Sequence, residues 1–386
     1  RATMQLNDEQ TMIRDAARNF ARDRLAPHAA EWERDATFPR DALADMGALG
    51  FMGMLVPEQW GGAGAGHLAY GAALEEIAVG CGAVSTIMSG HNSVGCLPIL
   101  QFGDESQKEQ FLPALARGEK LSAFCLTEPH AGSDASTLRT RAVRPGGQKG
   151  DHYVLNGTKQ FVTTGSNADI ALIFARTGAP DSGKRGISAF ITPTDAPGYI
   201  VARIEDKMGQ RPSDTCQIVL EDIAVPVENR LGGEGEGYRI ALANLESGRI
   251  GIASQAVGMA RSAFEAALAY ARDRNTFGKP IIEHQAVGFR LADMATDIEA
   301  ARQMVRHAAC LRDAGRPCLV EASMAKATAT DMAERVCSDA LQTLGGYGYL
   351  EDHPLERILR DARVTRIYEG SNDIQRLVIS RVLARG

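Results

Sequence analysis

The chain has 386 residues, 44% hydrophobic and 23% charged, with a formal net charge of −6, which is long enough for two or three domains sharing a buried interior. A composition near the soluble globular average excludes disordered and fibrous classes. An acidic balance, with arginines spread along the chain, argues against a nucleic-acid surface and against a polybasic membrane anchor.

The first third reads as helical. Asn7 is placed to cap a helix with Gln10 at the capping-box position, and Met12, Ala16, Phe20 and Leu25 recur at roughly helical spacing. A turn-rich connector follows from Val56 to His67, then a largely apolar helical segment from Leu68 through Leu100. From about Ser122 the texture changes to short runs of β-branched and aromatic residues between Gly, Pro, Asn and Asp, the mark of antiparallel strands. HYVLNGTKQFV is expected to be a hairpin turning at Asn156-Gly157. DIALIFAR, GISAFITP, GYIVARIE and TCQIVLEDIAVP are further strand candidates. After LGGEGEGY, helical patterns return at roughly 238–271, 284–314, 317–344 and 371–384. The expected class is α+β, mainly α: an N-terminal helical domain (1–121), a middle β-domain (122–230) and a C-terminal helical domain (231–386). Strands do not alternate with helices, so a doubly wound nucleotide-binding domain is not expected.

Seven cysteines, at 81, 96, 125, 216, 310, 318 and 337, contain no C-x-x-C pair. They indicate neither a disulfide framework nor a zinc ribbon and suit a reducing compartment. The histidines form no metal-ligand spacing, so no metal is expected. Without an apolar signal core or a bilayer-length stretch, the expected setting is the cytoplasm or, for a mature form, the mitochondrial matrix. Gly64-x-Gly66-x-x-Ala69 imitates a dinucleotide fingerprint, but no strand precedes it and no acidic residue follows about 20 positions later. Taken alone, the Gly-rich run after Leu344 is a helix ending in a turn.

Several segments acquire meaning through their joint order: FCLTEPHAGSD (124–134), KQFVTTG (159–165), RNTFGKP (274–280), His284-Gln285, QTLGGYGYLEDHPLERILRD (342–361) and IYEGSNDIQR (367–376). In that order, and over essentially the whole chain, the sequence resembles the acyl-CoA dehydrogenases. The resemblance implies a helical domain, a β-domain and a C-terminal four-helix bundle with FAD between them. It assigns Phe124, Leu126, Thr127, Gly132 and Ser133 to the polar edge of the flavin, and Phe161, Val162 and Thr163 to its flank. Many members carry Trp where this chain has Phe161. Arg274, Phe277, Gln285, Gln342, Gly345 and Gly346 resemble residues that reach the FAD diphosphate and adenosine of a neighbouring subunit, where an arginine supplies charge-assisted bonds and glycines allow close approach. Ser371 and Asp373 complete the expected cofactor contacts. The implied assembly is a homotetramer built as a dimer of dimers, and the implied electron acceptor is an electron-transfer flavoprotein.

Such a reaction needs one base for the proton next to a thioester. A carboxylate desolvated in an apolar pocket is a stronger base. The resemblance places that base at Glu369, between Gly370, able to end one helix, and Ser371, able to cap the next. Some members carry the base on an earlier helix, at the position of Gly248, which has no side chain for the task. Glu246 lies two residues earlier, which on a helix turns it away from Gly248. Ser133, Glu246, Arg249 and Gly370 are the expected substrate contacts, Arg249 toward the CoA portion. No cation lies between Cys81 and Gln107, where a glutaryl-type enzyme carries an arginine, so a short straight or singly branched monocarboxylic acyl-CoA is expected. Two alternatives are a flavin oxidase on the same fold and a non-catalytic helical binding protein.

Overall fold

Asn7 begins the first helix as its pattern predicts: its side chain accepts from the Gln10 amide at 2.8 Å, and the Gln10 side chain accepts from the Asn7 amide at 3.0 Å. The computed structural model describes residues 4–385. Its N-terminal part holds α1 (Asp8–Phe20), α2 (Ala29–Asp35), α3 (Arg40–Ala48), α4 (Gly66–Gly80), α5 (Gly82–Gly90), α6 (Leu97–Phe102) and α7 (Glu105–Ala116). The apolar stretch from Leu68 is thus several helices, and α4 is buried along most of its length. The imitation dinucleotide loop leads into the start of α4. There the amides of His67 and Leu68 donate to the Asp313 carboxylate at 2.6 and 3.0 Å.

The middle part is an eight-stranded sheet. Its strands are β1 (Ser122–Cys125), β2 (Arg141–Val143), β3 (His152–Thr163), β4 (Ile170–Arg176), β5 (Ile187–Pro193), β6 (Tyr199–Ile204), β7 (Thr215–Pro226) and β8 (Arg230–Leu231). They run β6-β7-β3-β2-β4-β5-β8, with β1 also pairing β4. β1 and β2 pair with β4 in parallel, and the other ladders are antiparallel.

The hairpin expected at Asn156-Gly157 is absent, because β3 continues through both residues against β7. The ladder slips there: Leu155 faces Ile223 but Gly157 faces Leu220, so the extra residue sits in β7, where Asp222 has a φ of +49°. The Asn156 side chain exchanges two 2.9 Å hydrogen bonds with Asp222 and thereby caps the bulge of the opposite strand. Gly157 is needed for space, since a Cβ would stand 2.7 Å from the Thr140 Cα. An Asn-Gly pair between β-branched runs therefore marks a bulge and a close crossing here.

The C-terminal part contains α8 (Gly237–Ala243), α9 (Leu245–Asp273), a short hairpin of β9 (Asn275–Thr276) and β10 (Lys279–Pro280), α10 (Gln285–Asp313), α11 (Leu319–Leu344), α12 (Leu355–Arg363) and α13 (Asn372–Leu383). The helix expected from 238 is divided at Asn244, and α12 is additional to the expected set. α9 packs against α10, α11 and α4 around a core rich in alanine. Arg261 of α9 reaches Glu75 of α4 at 2.8 Å, and Arg302 of α10 reaches the same carboxylate at 2.9 Å. These pairs lock the bundle to the N-terminal helices. No helix among the described residues is long and apolar enough to cross a membrane.

Candidate active site

Glu369 and Gly370 form the link between the turn after α12 and the start of α13, and both have left-handed backbones, with φ of +56° and +84°. For a glutamate that conformation costs about 1–3 kcal/mol and persists only where surrounding contacts impose it. Here they do. The Gly370 carbonyl accepts from Lys326 Nζ and from Gln375 Nε2, each at 2.8 Å. On the other side of the link, Ser371 caps α13 by accepting from the Ile374 amide at 3.4 Å. Tyr368 donates to Gln255 at 3.0 Å and lies 3.1 Å from the Thr86 hydroxyl, which ties the link to α9 and α5.

The Glu369 side chain lies over α9 at Gly248, where a Cβ would stand 2.8 Å from Oε2. The absent side chain at the alternative base position is therefore the space that Glu369 uses. Glu246 is directed elsewhere: Arg312 donates to it at 2.9 Å and the Cys318 thiol at 3.5 Å. Arg249 is buried, with Nη1 3.2 Å from the Ser323 hydroxyl and Nε without a partner. Desolvation raises the pKa of Glu369, opposed by the positive charges of Lys326 and Arg249. Gly248→Ala should displace the carboxylate and slow turnover roughly 10- to 100-fold, the scale of a misplacement of about 1 Å. Stopped-flow reduction rates at unchanged flavin content check this, and a wild-type rate would show that the carboxylate does not depend on this space.

Two segments of the middle part, β1 with the turn after it and the end of β3, come together in the sheet. Phe124, Leu126 and Thr127 are half-buried, while Gly132 and Ser133 are exposed in the following turn. Phe161 stands 65% exposed with a φ of +57°, next to buried Val162 and half-buried Thr163. The Gln160 amide donates to the Thr127 carbonyl at 2.9 Å. The fully buried Lys159 donates to Glu128 at 2.8 Å and to the Leu126 carbonyl at 3.3 Å. Glu128 also accepts from the amides of Arg139 and Thr140, at 2.6 and 2.9 Å. One buried ion pair thus joins both segments, a role that sequence reasoning missed although both residues lie within the quoted motifs.

A third group surrounds a cavity of about 610 Å³ whose lining includes Arg274, Gln342, Gly345, Gly346 and Tyr270. Phe277 is 97% exposed at the tip of the β9–β10 turn, and Gln285 is exposed at the start of α10. Of the remaining expected contacts, Asp373 is exposed, 3.7 Å from Arg376.

Residues 7–119, 123–223 and 235–384 match the N-terminal, middle and C-terminal domains of the acyl-CoA dehydrogenase family. An acyl-CoA dehydrogenase of Bacillus subtilis is 51% identical over 383 residues, covering 99% of this chain and 100% of that protein. Among solved structures, butyryl-CoA dehydrogenase from Megasphaera elsdenii superposes with a TM-score of 0.96 at 42% identity, covering 99% of each chain. A chain in the structure described as the electron transferring flavoprotein of Acidaminococcus fermentans gives a TM-score of 0.96 at 45% identity, again over 99% of each chain. The fold and the comparisons define a flavin-dependent oxidoreductase. The chain belongs to the acyl-CoA dehydrogenase family, whose cofactor is FAD.

The residues present fit that cofactor. The donor set of Arg274, Gln342 and glycine backbone around the 610 Å³ cavity suits a diphosphate. An aromatic ring held outward at a left-handed backbone position, as at Phe161, suits a flat apolar partner.

Proposed function

We propose that this chain oxidises a short straight or singly branched acyl-CoA to the 2-enoyl-CoA, with Glu369 as base and an electron-transfer flavoprotein as acceptor. The observation that carries the reading is the Glu369 carboxylate, held by a strained, clamped link against the side-chain-free surface of Gly248. Bound FAD supplies the acceptor for the hydride that leaves the β carbon. Glu369 takes the α proton, and its desolvation strengthens it for that step. The Glu369 backbone N–H is the chain's own donor for the thioester carbonyl, whose polarisation acidifies that proton. Arg249, with a free buried Nε beside the same stretch of α9, would hold the CoA portion together with Ser133 and Gly370.

Arg274, Phe277, Gln285, Gln342, Gly345 and Gly346 are read as the site for the diphosphate and adenosine of a neighbouring subunit's FAD. Ser371 and Asp373 would add contacts at the head of α13. The exposure of Phe277 and the open cavity beside Arg274 support coverage by a second copy in a dimer-of-dimers tetramer. Seven buried cysteines that form no disulfide among the described residues suit a reducing compartment, the cytoplasm or the mitochondrial matrix. The three-domain division at about 121 and 230 accords with the helical, β, helical order of elements.

The pH dependence follows from the sign of the Glu369 shift. The base works ionised and its pKa is raised, so flavin reduction should fall with decreasing pH through a midpoint above the ordinary carboxylate range. A midpoint at or below an ordinary glutamate value would remove Glu369 from the role. Specificity is tested by kcat/KM over straight acyl-CoAs from four to sixteen carbons and over isobutyryl-CoA, with a maximum expected at the short end. Best turnover on a long chain would reject the substrate assignment. Hydrogen peroxide in step with turnover would make the enzyme an oxidase.

A further inference from the structure

Lys326 lies in the middle of α11 with none of its surface exposed. A buried ammonium persists only where polar groups meet it, and its partners here belong to the link that carries Glu369. It donates to the Gly370 carbonyl at 2.8 Å and to Asn372 Oδ1 at 3.0 Å. Asn372 Nδ2 in turn donates to Thr330 Oγ1 and Asp331 Oδ1, each at 2.8 Å, so α11 meets the link through a connected set of hydrogen bonds. Charged and titratable groups face this region from every side: Arg249 and Glu246 from α9, Lys326 and Asp331 from α11, Arg366 from the turn after α12, Tyr70 from α4, and Tyr368 from the link itself. Lys326 combines a charge that acts on the carboxylate with a direct bond to the backbone beside it.

We propose that Lys326 is the positioning residue for Glu369, clamping the Glu369–Gly370 turn through the Gly370 carbonyl and placing its amino group where its charge acts on the carboxylate. The proposal rests on the reading of Glu369 as the base. Burial pushes the Lys326 ammonium down to about 7, so it is charged on the acid side of neutrality. There its charge opposes the desolvation of Glu369 and keeps the carboxylate ionised to lower pH. Its hydrogen bonds act at every pH, because the neutral amine remains a donor.

The test is anaerobic stopped-flow reduction of the FAD-loaded enzyme by butyryl-CoA as a function of pH, with flavin content and thermal midpoint recorded for each variant. Lys326→Met should move the acid midpoint upward by at least about one unit and lower the plateau rate more than tenfold. Asn372→Leu keeps the ammonium but removes its second anchor, so the midpoint should stay while the plateau falls about tenfold. An unmoved midpoint in Lys326→Met overturns the proposal, even with a slower plateau, because a merely structural lysine would give that result. If Lys326→Met does not fold, a wild-type plateau in Asn372→Leu overturns it instead. Glu369→Gln run alongside separates the two readings: retained reduction there removes the base itself, whatever Lys326 does.

Discussion

Glu369→Gln is expected to leave the protein folded and flavin-bound while slowing reduction by acyl-CoA by roughly 10²–10⁴-fold, the range for loss of a positioned general base. The amide is close to the carboxylate in size, so it keeps the fit over Gly248, where Oε2 would stand 2.8 Å from a Cβ. The clamp on the Gly370 carbonyl is a backbone contact that the substitution does not touch. Only the proton acceptor is lost. Gly248 carries no side chain, and the Glu246 carboxylate is occupied by Arg312 and Cys318, so neither alternative position on α9 supplies a substitute base. Rapid-mixing absorbance of the flavin band checks this, and reduction at near wild-type rate would contradict it.

Lys159→Met should be the most damaging single change outside the Glu369 site, with a loss of about 3–5 kcal/mol, the usual cost of stranding one member of a buried ion pair. Lys159 is fully buried and Glu128 nearly so. The two are not equally supported. Glu128 has two backbone amides besides the lysine, and it is held below the ordinary carboxylate range, whereas burial pushes Lys159 downward. The methionine would remove the cation that does most to lower the Glu128 pKa and leave burial to oppose its ionisation, stranding a buried carboxyl group. The segments around Phe124–Ser133 and Phe161–Thr163 would also lose the ion pair between them and keep the backbone bond from Gln160 to Thr127, so weaker retention of FAD should accompany the lower stability. Urea unfolding and flavin content after gel filtration measure the two effects. Stability within about 0.5 kcal/mol of wild type, the range of ordinary surface substitutions, would show that the pair does not hold these segments.

What could be read from the sequence followed the range of the interactions involved. The capping box at Asn7, the helices α10 and α11 and the Ser371 cap are settled within a few residues, and each stands where the pattern places it, whereas the helix expected from 238 is divided at Asn244. Asn156-Gly157 misled because its meaning depends on β7 and on Thr140, neither of which is near it in sequence. Glu369 was legible as a residue at a junction, but its left-handed backbone and its fit over Gly248 arise from α9 and α11. Lys326 carried a usable signal: a lysine among Ala322, Ala325 and Ala329 breaks the apolar face of its helix. A charge in that place predicts a buried partner. The partner could not be named before the fold brought Gly370 to it.

In the proposed reaction Glu369 and bound FAD together remove hydrogen from the α and β carbons of a short acyl-CoA. Anaerobic mixing of the FAD-loaded wild-type chain with butyryl-CoA, following the flavin band and the CoA product together, tests that reaction most directly. Bleaching of the flavin is expected, with formation of one 2-butenoyl-CoA per flavin reduced. A flavin that stays oxidised with every acyl-CoA from four to sixteen carbons, in protein holding stoichiometric FAD, would contradict it.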